Sequence, residues 1–321
     1  PWPWRSRWGR IGAGSSRLRW RPPLPELPEV ETIVRDLRPQ LEGRAVERAW
    51  VGQPGLLKYP SPEEFEARIT GRRMLHVGRH GKFILVELDP PPASAPGAGE
   101  ELELLVVHLG MTGRLGLAEP ETPPPLHTHL RLLLSSGVEL RMQDYRRFGR
   151  VLLGSPTELT AAGALPRLGP EPVTEAKPNP ESWRAFRGGL SLPEFSRILR
   201  RSRRSVKALM LDQGKIAGLG NIYCDEACFR AGVRPTAIAA TLGPDRRRRL
   251  YEGIGAALAS AVNLRGSSID DYRDGYGARG EMQDQLLVYG RAGQACVRCG
   301  RILVKTVVAG RTTVFCRGCQ R

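Results

Sequence analysis

The spacing of apolar residues changes near the middle of the chain. Between positions 82 and about 153 they fall in short runs of strand length, at 83–88, 102–109, 130–134, 138–142 and 151–153, separated by turn residues. This half is predicted to be β-rich. Two Pro/Ala/Gly stretches, 90–99 and 120–125, interrupt it and read as loops. A Pro- and Gly-rich segment at 155–189, containing LGPEP at 168–172, has the composition of an interdomain linker. Beyond it the spacing is helical, at 192–201, 206–211, 222–231 and 245–264, with Pro244 placed to start the last helix. From Cys296 strand spacing returns, at 302–308 and 312–315, around a turn at Ala309-Gly310-Arg311. No repeat of 20 to 50 residues is evident. The pattern predicts an α+β protein: a sheet-rich half, a hinge, a helical half and a terminal hairpin.

Charge narrows the function classes. The 321 residues carry 49 Lys+Arg against 33 Asp+Glu, a net charge of +16, which points to a polyanionic partner and first to nucleic acid. A hydrophobic content of 40% excludes disorder throughout. No run reaches the ~18 apolar residues of a membrane-spanning helix, and no apolar core follows the basic N-terminal stretch as in a secretory signal. A cytoplasmic protein is expected. Residues 1–23 stand apart, with four of the six tryptophans, six arginines and no acidic residue. Without them the balance is 43 − 33 = +10, so the basic character does not depend on them.

Several residue groups carry candidate chemistry. Cys296, Cys299, Cys316 and Cys319 form C-x2-C-x16-C-x2-C, four thiolates for one tetrahedral Zn2+ with no position left open for a substrate. A structural zinc ribbon is expected there. Arg311, at the hairpin tip, can reach a phosphate from a rigid turn, although a lone loop arginine is more often simply solvated. Cys224 and Cys228, four apart on a predicted helix, read as structural. GLGNIY at 218–223 is a glycine turn entering a helix, with Asn221 read as the N-cap; such a start offers free N–H groups to a DNA phosphate. Capping alone would also account for the asparagine. The basic run Arg200, Arg201, Arg203 and Arg204 lies before that turn and suits either phosphate contact or a solvated face, whereas 246–249 reads as a solvated helix face. In YRRFG, 145–149, arginines and aromatics adjoin after a predicted strand. One loop could there supply both an apolar wedge and an arginine to fill the gap left by an extruded base, or Phe148 could lie in the core.

Taken together, these motifs resemble the bacterial formamidopyrimidine-DNA glycosylases. The matching segments, in order, are PELPEVET from Pro25, GKF at 81–83, HLGMTG at 108–113, RRFG, LGPEP, GLGNIY, VYGR at 288–291 and the four-cysteine finger, spanning 25–321. The resemblance implies an N-terminal β-sandwich with flanking helices, a helix-two-turn-helix domain and a zinc finger. Its domains would be 25–154, a linker at 155–189, 190–290 and 291–321, with 1–24 as an extension. It implies a bifunctional glycosylase and abasic-site lyase that removes oxidised purines from double-stranded DNA, acting as a monomer in the cytoplasm or nucleoid. Pro25 would be the nucleophile, Glu26 its acid/base partner and Lys82 an essential lysine near the lesion. Met111, Arg146 and Phe148 would fill the vacated stack. His127, Arg203, Asn221 and Arg311 would hold phosphates, with Arg311 also linked to the second elimination.

A proline suits such chemistry. An α-amine has a pKa of about 8 against about 10.4 for lysine, so about a tenth of it is free base at neutral pH. A secondary amine gives an iminium with no N–H proton to lose, and that cation acidifies the neighbouring C2′ position. The chain departs from the family pattern in two places. Pro25 follows 24 residues, and as an internal residue its nitrogen would be a non-nucleophilic amide; the expectation is initiation at Leu24 and removal of the first residue, with proteolytic activation or loss of activity as alternatives. Tyr145 stands where the family commonly has proline. The rival readings are an endonuclease VIII-type enzyme for oxidised pyrimidines and a non-catalytic zinc-ribbon DNA-binding protein; Glu26 and Lys82 beside Pro25 argue against the second.

Overall fold

The computed structural model describes residues 25–52, 55–90, 102–172, 189–269 and 271–321. The extension 1–24, most of the 90–99 loop and the middle of the 155–189 linker lie outside the described residues.

Among the described residues, the N-terminal half is built on α1 (Leu27–Leu41) and nine strands: β1 (Val46–Val51), β2 (Leu57–Tyr59), β3 (Met74–His80), β4 (Phe83–Leu88), β5 (Glu103–His108), β6 (Arg114–Ala118), β7 (Thr128–Leu134), β8 (Glu139–Gln143) and β9 (Arg150–Gly154). Short helices α2 (Pro62–Ile69) and α3 (Pro156–Ala161) start at Ser61 and Ser155, whose side chains accept the N3 amide in each case. The strands form two sheets, β1-β7-β8-β6 and β2-β9-β5-β4-β3, with only the β2–β9 pair parallel. Their inner faces share one core with Val30, Ile33, Val34, Leu37 and Leu41 of α1. The outer face of β4 and β5 is covered by Leu159 and residues 164–168, so both faces of these strands are buried. That explains their unbroken apolar runs. By contrast β1, half in water, reads as a broken pattern and was not legible as a strand.

The C-terminal half holds α4 (Leu192–Arg200), α5 (Val206–Met210), α6 (Asn221–Ala231) and α7 (Pro244–Asn263), close to the spans expected from helical spacing. Pro244 does sit in the first turn of α7. Leu27, at the start of α1, packs into this helical core rather than the sheet core, so α1 joins the two halves. The tail pairs β10 (Val304–Val308) with β11 (Arg311–Phe315) around Ala309 and Gly310, both at positive φ. The hairpin packs on Phe229 and Val288.

Two buried carboxylates of α6 fix the tail. Lys207 Nζ lies 2.7 Å from Asp225 Oδ1 and 3.0 Å from the Thr312 carbonyl, while Asp225 Oδ2 accepts from the Val314 amide at 3.0 Å. Glu226 accepts from the amides of Leu287, Val288 and Tyr289. Both side chains of the Lys207–Asp225 pair are fully buried, so neither can be removed without stranding the other. Nothing in the local sequence announced this pair.

Candidate active site

Pro25 is buried at the foot of α1, where the two halves meet. The next residue, Glu26, is the N-cap of α1, and its own amide donates to Glu29 Oε2 at 2.9 Å. Its carboxylate does not stay with its own helix. Oε1 accepts from the Ile222 amide at 2.9 Å and Oε2 from the Tyr223 amide at 3.4 Å, at the start of α6. The GLGN turn permits this approach. A Cβ on Gly220 would lie 2.2 Å from the Glu26 carboxyl carbon, and one on Gly218, at φ +92, would lie 2.5 Å from Leu27 Cδ1.

This corrects the expected capping. The N-cap is Gly220 and Asn221 is the first helical residue; the anion at this helix start is Glu26, which takes the amides assigned to a phosphate. Among the described residues, Asn221 Oδ1 is buried with no hydrogen-bond partner.

Lys82, in the β3–β4 turn, is 8% exposed and faces this carboxylate. Burial lowers its pKa, the charges of Glu26, Cys224 and Glu29 oppose the shift, and Arg311 adds to it. Burial likewise raises Glu26 against the pull of Lys82 and of the α6 amides. An acid inclined to keep its proton and an amine inclined to lose one therefore share a site beside Pro25. Arg311, at the finger's hairpin tip more than 200 residues away in sequence, is thus among the charges that act on Lys82.

In sequence Glu29 reads as a first-turn carboxylate complementing a helix dipole, and His108 has no assigned role. Burial first, and then the Glu26 charge, push Glu29 up to about 7; it accepts from the Tyr223 hydroxyl at 2.5 Å and the Ser267 amide at 2.8 Å. It thus ties α1 to α6 and to the segment after α7. His108 is held down to about 4 by burial and by the charges of Lys82 and Arg150. Its neutral Nδ1 accepts from the Gly110 amide at 3.1 Å, fixing the HLGMTG turn. The period-3 spacing of Glu26 and Glu29 was visible in sequence, but their sharing of one buried pocket was not.

The residues expected to fill the vacated stack lie on adjoining turns. Gly110, at φ +64, lies so close to Phe148 that a Cβ would sit 2.5 Å from its carbonyl carbon, which brings the Met111 turn against RRFG. Phe148 is 50% exposed, so it is not a core residue, and the Arg146 guanidinium lies 4.9 Å over its ring. Asp144, fully buried, shapes this loop: it accepts from Thr112 Oγ1, from the Arg146 amide at 3.2 Å and from the Gly149 amide at 2.7 Å. His127, exposed and at φ +67, offers its carbonyl to the Asp144 amide at 3.0 Å. The hydroxyl of Tyr145 donates to Asp271 Oδ2 at 2.8 Å, so the position that lacks the family's proline is tied to the segment after α7 instead. Arg203 is exposed and lies apart, lining a basic cavity of about 1030 Å³ with Arg167, Arg197, Arg201, Arg204 and Lys215.

The thiol sulfurs of Cys296, Cys299, Cys316 and Cys319 all lie within 4.8 Å of one another, a cluster that fits one tetrahedral Zn2+ with all four positions filled by sulfur. Cys224 and Cys228 are buried in the helical core, and burial pushes both thiols up, so they are inert packing residues as expected.

A buried amine-and-carboxylate site, an exposed arginine-aromatic wedge and a zinc hairpin on a basic two-part protein define a DNA base-excision enzyme of the amine-nucleophile class. Sequence profiles described as the formamidopyrimidine-DNA glycosylase N-terminal domain, its H2TH domain and a zinc finger found in FPG and IleRS match residues 24–151, 168–273 and 293–321. The formamidopyrimidine-DNA glycosylase of Chloroflexus aurantiacus is 41% identical over 298 residues, 92% of this chain and 98% of that protein. The crystal structure of the MutM (Fpg) protein of Thermus thermophilus superposes with a TM-score of 0.74 at 40% identity, over 92% of this chain and 98% of that one. The Lactococcus lactis Fpg (MutM) in complex with DNA containing N7-benzyl-Fapy-dG gives 0.77 at 32% identity, over 92% of this chain and 100% of that one. The chain belongs to the formamidopyrimidine-DNA glycosylase family.

Proposed function

We propose that this protein excises oxidised purines from duplex DNA and cleaves the resulting abasic site through Pro25, once Pro25 carries a free amine. The observation that carries the reading is that Pro25, Glu26 and Lys82 are all buried, with Glu26 next to Pro25 and its charge acting on Lys82. The Pro25 nitrogen attacks C1′, the glycosidic bond breaks, and the base leaves with a proton. Glu26, whose pKa burial has raised, protonates the ring oxygen as the sugar opens. Water takes the C2′ proton as the C–H electrons move toward the iminium, the resulting enamine expels the 3′ phosphate by breaking C3′–O, and loss of the C4′ proton to water in a second elimination expels the 5′ phosphate by breaking C5′–O. Water then releases the proline. In this reading Lys82 holds the phosphate beside the lesion, and Arg311 steadies the second leaving phosphate. Met111, Arg146 and Phe148 occupy the vacated stack, and His127, Arg203 and Asn221 hold the backbone. The zinc ion stiffens the finger and takes no part in the chemistry.

In this reading 25–154, 190–290 and 291–321 are the functional domains, and the enzyme acts as a monomer, because all these residues come from one chain. Among the described residues no helix is long and apolar enough to cross a membrane, which agrees with a cytoplasmic or nucleoid setting. One of the similar solved structures is the Lactococcus lactis enzyme with DNA containing an oxidised pyrimidine, so both lesion classes belong in the test. The experiment is borohydride trapping on a duplex with 8-oxoguanine opposite cytosine, and on one with an oxidised pyrimidine, using protein that starts at Pro25 beside the 321-residue form. A covalent adduct with the shorter form alone is expected. Binding without trapping by either form would overturn the reading in favour of a DNA-binding protein.

A further inference from the structure

The LGPEP segment, read from sequence as part of a hinge, is bonded on both sides. Toward the sheet half, Glu171 Oε1 receives two donors: Arg79 Nη1 at 2.5 Å and the amide of Gly81, the residue before Lys82. His80 Nε2 lies 3.1 Å from the Gly169 carbonyl. Toward the helical half, the Gly169 amide donates to the Gln213 carbonyl at 2.8 Å and the Pro170 carbonyl accepts from Ala217 at 3.1 Å. The Gln213 side chain continues inward, accepting from the Gly218 amide at 3.0 Å and donating to the Leu219 carbonyl at 2.7 Å. The Gly218 carbonyl in turn accepts from Leu27, next to Glu26, at 3.1 Å. Gly169, Pro170 and Gly81 are all buried, so these bonds are shielded from competing water.

We propose that Glu171 is a positioning residue for Lys82, and that residues 169–171 form a strap which sets the lysine turn in register with Glu26. The two groups are held by separate parts of the structure, Lys82 by the β3–β4 turn and Glu26 by the donating amides of Ile222 and Tyr223 just after the glycine turn. The strap is bonded to both. Gly81, at φ +61, can approach the glycine turn closely: a Cβ there would meet Ala217 Cβ at 3.3 Å. The Arg79 guanidinium, also paired with Glu31 at 2.8 Å, anchors the carboxylate from the sheet side. Releasing Glu171 would free the turn to shift Lys82 without touching the core beneath it, and a shift of about 1 Å at a reacting group can cost about 100-fold in rate.

This inference rests on the role assigned to Lys82, and the test separates the two. In protein starting at Pro25, the single-turnover rate of base release from an 8-oxoguanine duplex is compared with the dissociation constant for a tetrahydrofuran duplex and with Tm. Glu171→Ala is expected to slow base release about 10- to 100-fold while affinity stays within about threefold. Glu171→Gln keeps Oε1, on which both donors converge, and is expected to restore most of the rate. In a Lys82→Ala background, Glu171→Ala is expected to add no further loss of rate. An unchanged rate in Glu171→Ala, an equal loss in Glu171→Gln, or a loss of rate matched by lost affinity and Tm would each overturn the proposal. Inactivity of the parent protein would instead count against the function proposed above.

Discussion

Gly220→Ala tests whether Glu26 works from the start of α6. The added Cβ would stand 2.2, 2.4 and 2.7 Å from the carboxyl carbon, Oε1 and Cγ of Glu26, all far below contact distance. Glu26 is 1% exposed, and the displaced carboxylate must give up its bonds to the Ile222 and Tyr223 amides. Each charge-assisted bond contributes about 1.5–3 kcal/mol, so the displacement should cost roughly 2–4 kcal/mol once the carboxylate finds partial compensation. At about 2–4 °C per kcal/mol for a chain of this size, Tm should fall by roughly 5–15 °C. The acid would also leave its station, so base release should slow about 100-fold or more, as for Glu26→Gln. The decisive assay is a double-mutant cycle in Tm. All three of the nearest atoms to the new methyl belong to Glu26 and are absent in Glu26→Ala, so in that background Gly220→Ala should cost almost nothing. An equal cost in both backgrounds would refute the steric argument, and wild-type base release by Gly220→Ala would refute the role of the held carboxylate.

Stability should fall as pH rises through the Glu29 window. Its folded pKa, about 7, exceeds the unfolded value near 4.5, so between these limits the native state holds a proton that the unfolded chain has lost. The contribution is full below pH about 4.5 and gone above about 7, on the order of 3 kcal/mol, and Glu29→Gln should flatten that part of a urea-midpoint series run from pH 4.5 to 8; an unchanged slope would remove Glu29 as its source. Asp225→Ala strands the buried Lys207 ammonium and should cost about 3–5 kcal/mol, and it should speed zinc loss to a chelator because the β10–β11 hairpin loses its brace; equal chelation rates would refute that link. Phe148→Ala should slow excision of 8-oxoguanine opposite cytosine by about 10- to 100-fold, with a smaller effect at a preformed abasic site where less stacking is lost on extrusion. Equal losses on the two substrates would contradict the wedge reading.

How much was legible from sequence varied with how local the cause was. The apolar runs of β4 and β5 announced strands because both of their faces are covered. The four cysteines announced a metal cluster because their own spacing encodes a closed ligand set. Asn221 shows the limit: its position after two glycines reads as a cap, yet the cap is Gly220, and the small residues are there to admit a side chain from 196 positions earlier. Glu29 and the Lys207–Asp225 pair act through partners far away in the chain, which the sequence could not show, whereas Asp144 and His108 bond to amides two to five residues on and their burial was what the sequence concealed.

Sequence alone therefore determined the order of sheet half, helical half and zinc hairpin, the family, and the residue types for amine and acid chemistry. Periodicity and ligand spacing are local properties, and the family's motifs are contiguous strings. The tertiary structure decided which amides hold Glu26, how burial shifts Glu26 and Lys82 in opposite senses, why Gly218 and Gly220 must be glycines, and how LGPEP joins the two halves. Those outcomes depend on desolvation and on distances between segments brought together only when the α1, sheet and α6 surfaces close on one another.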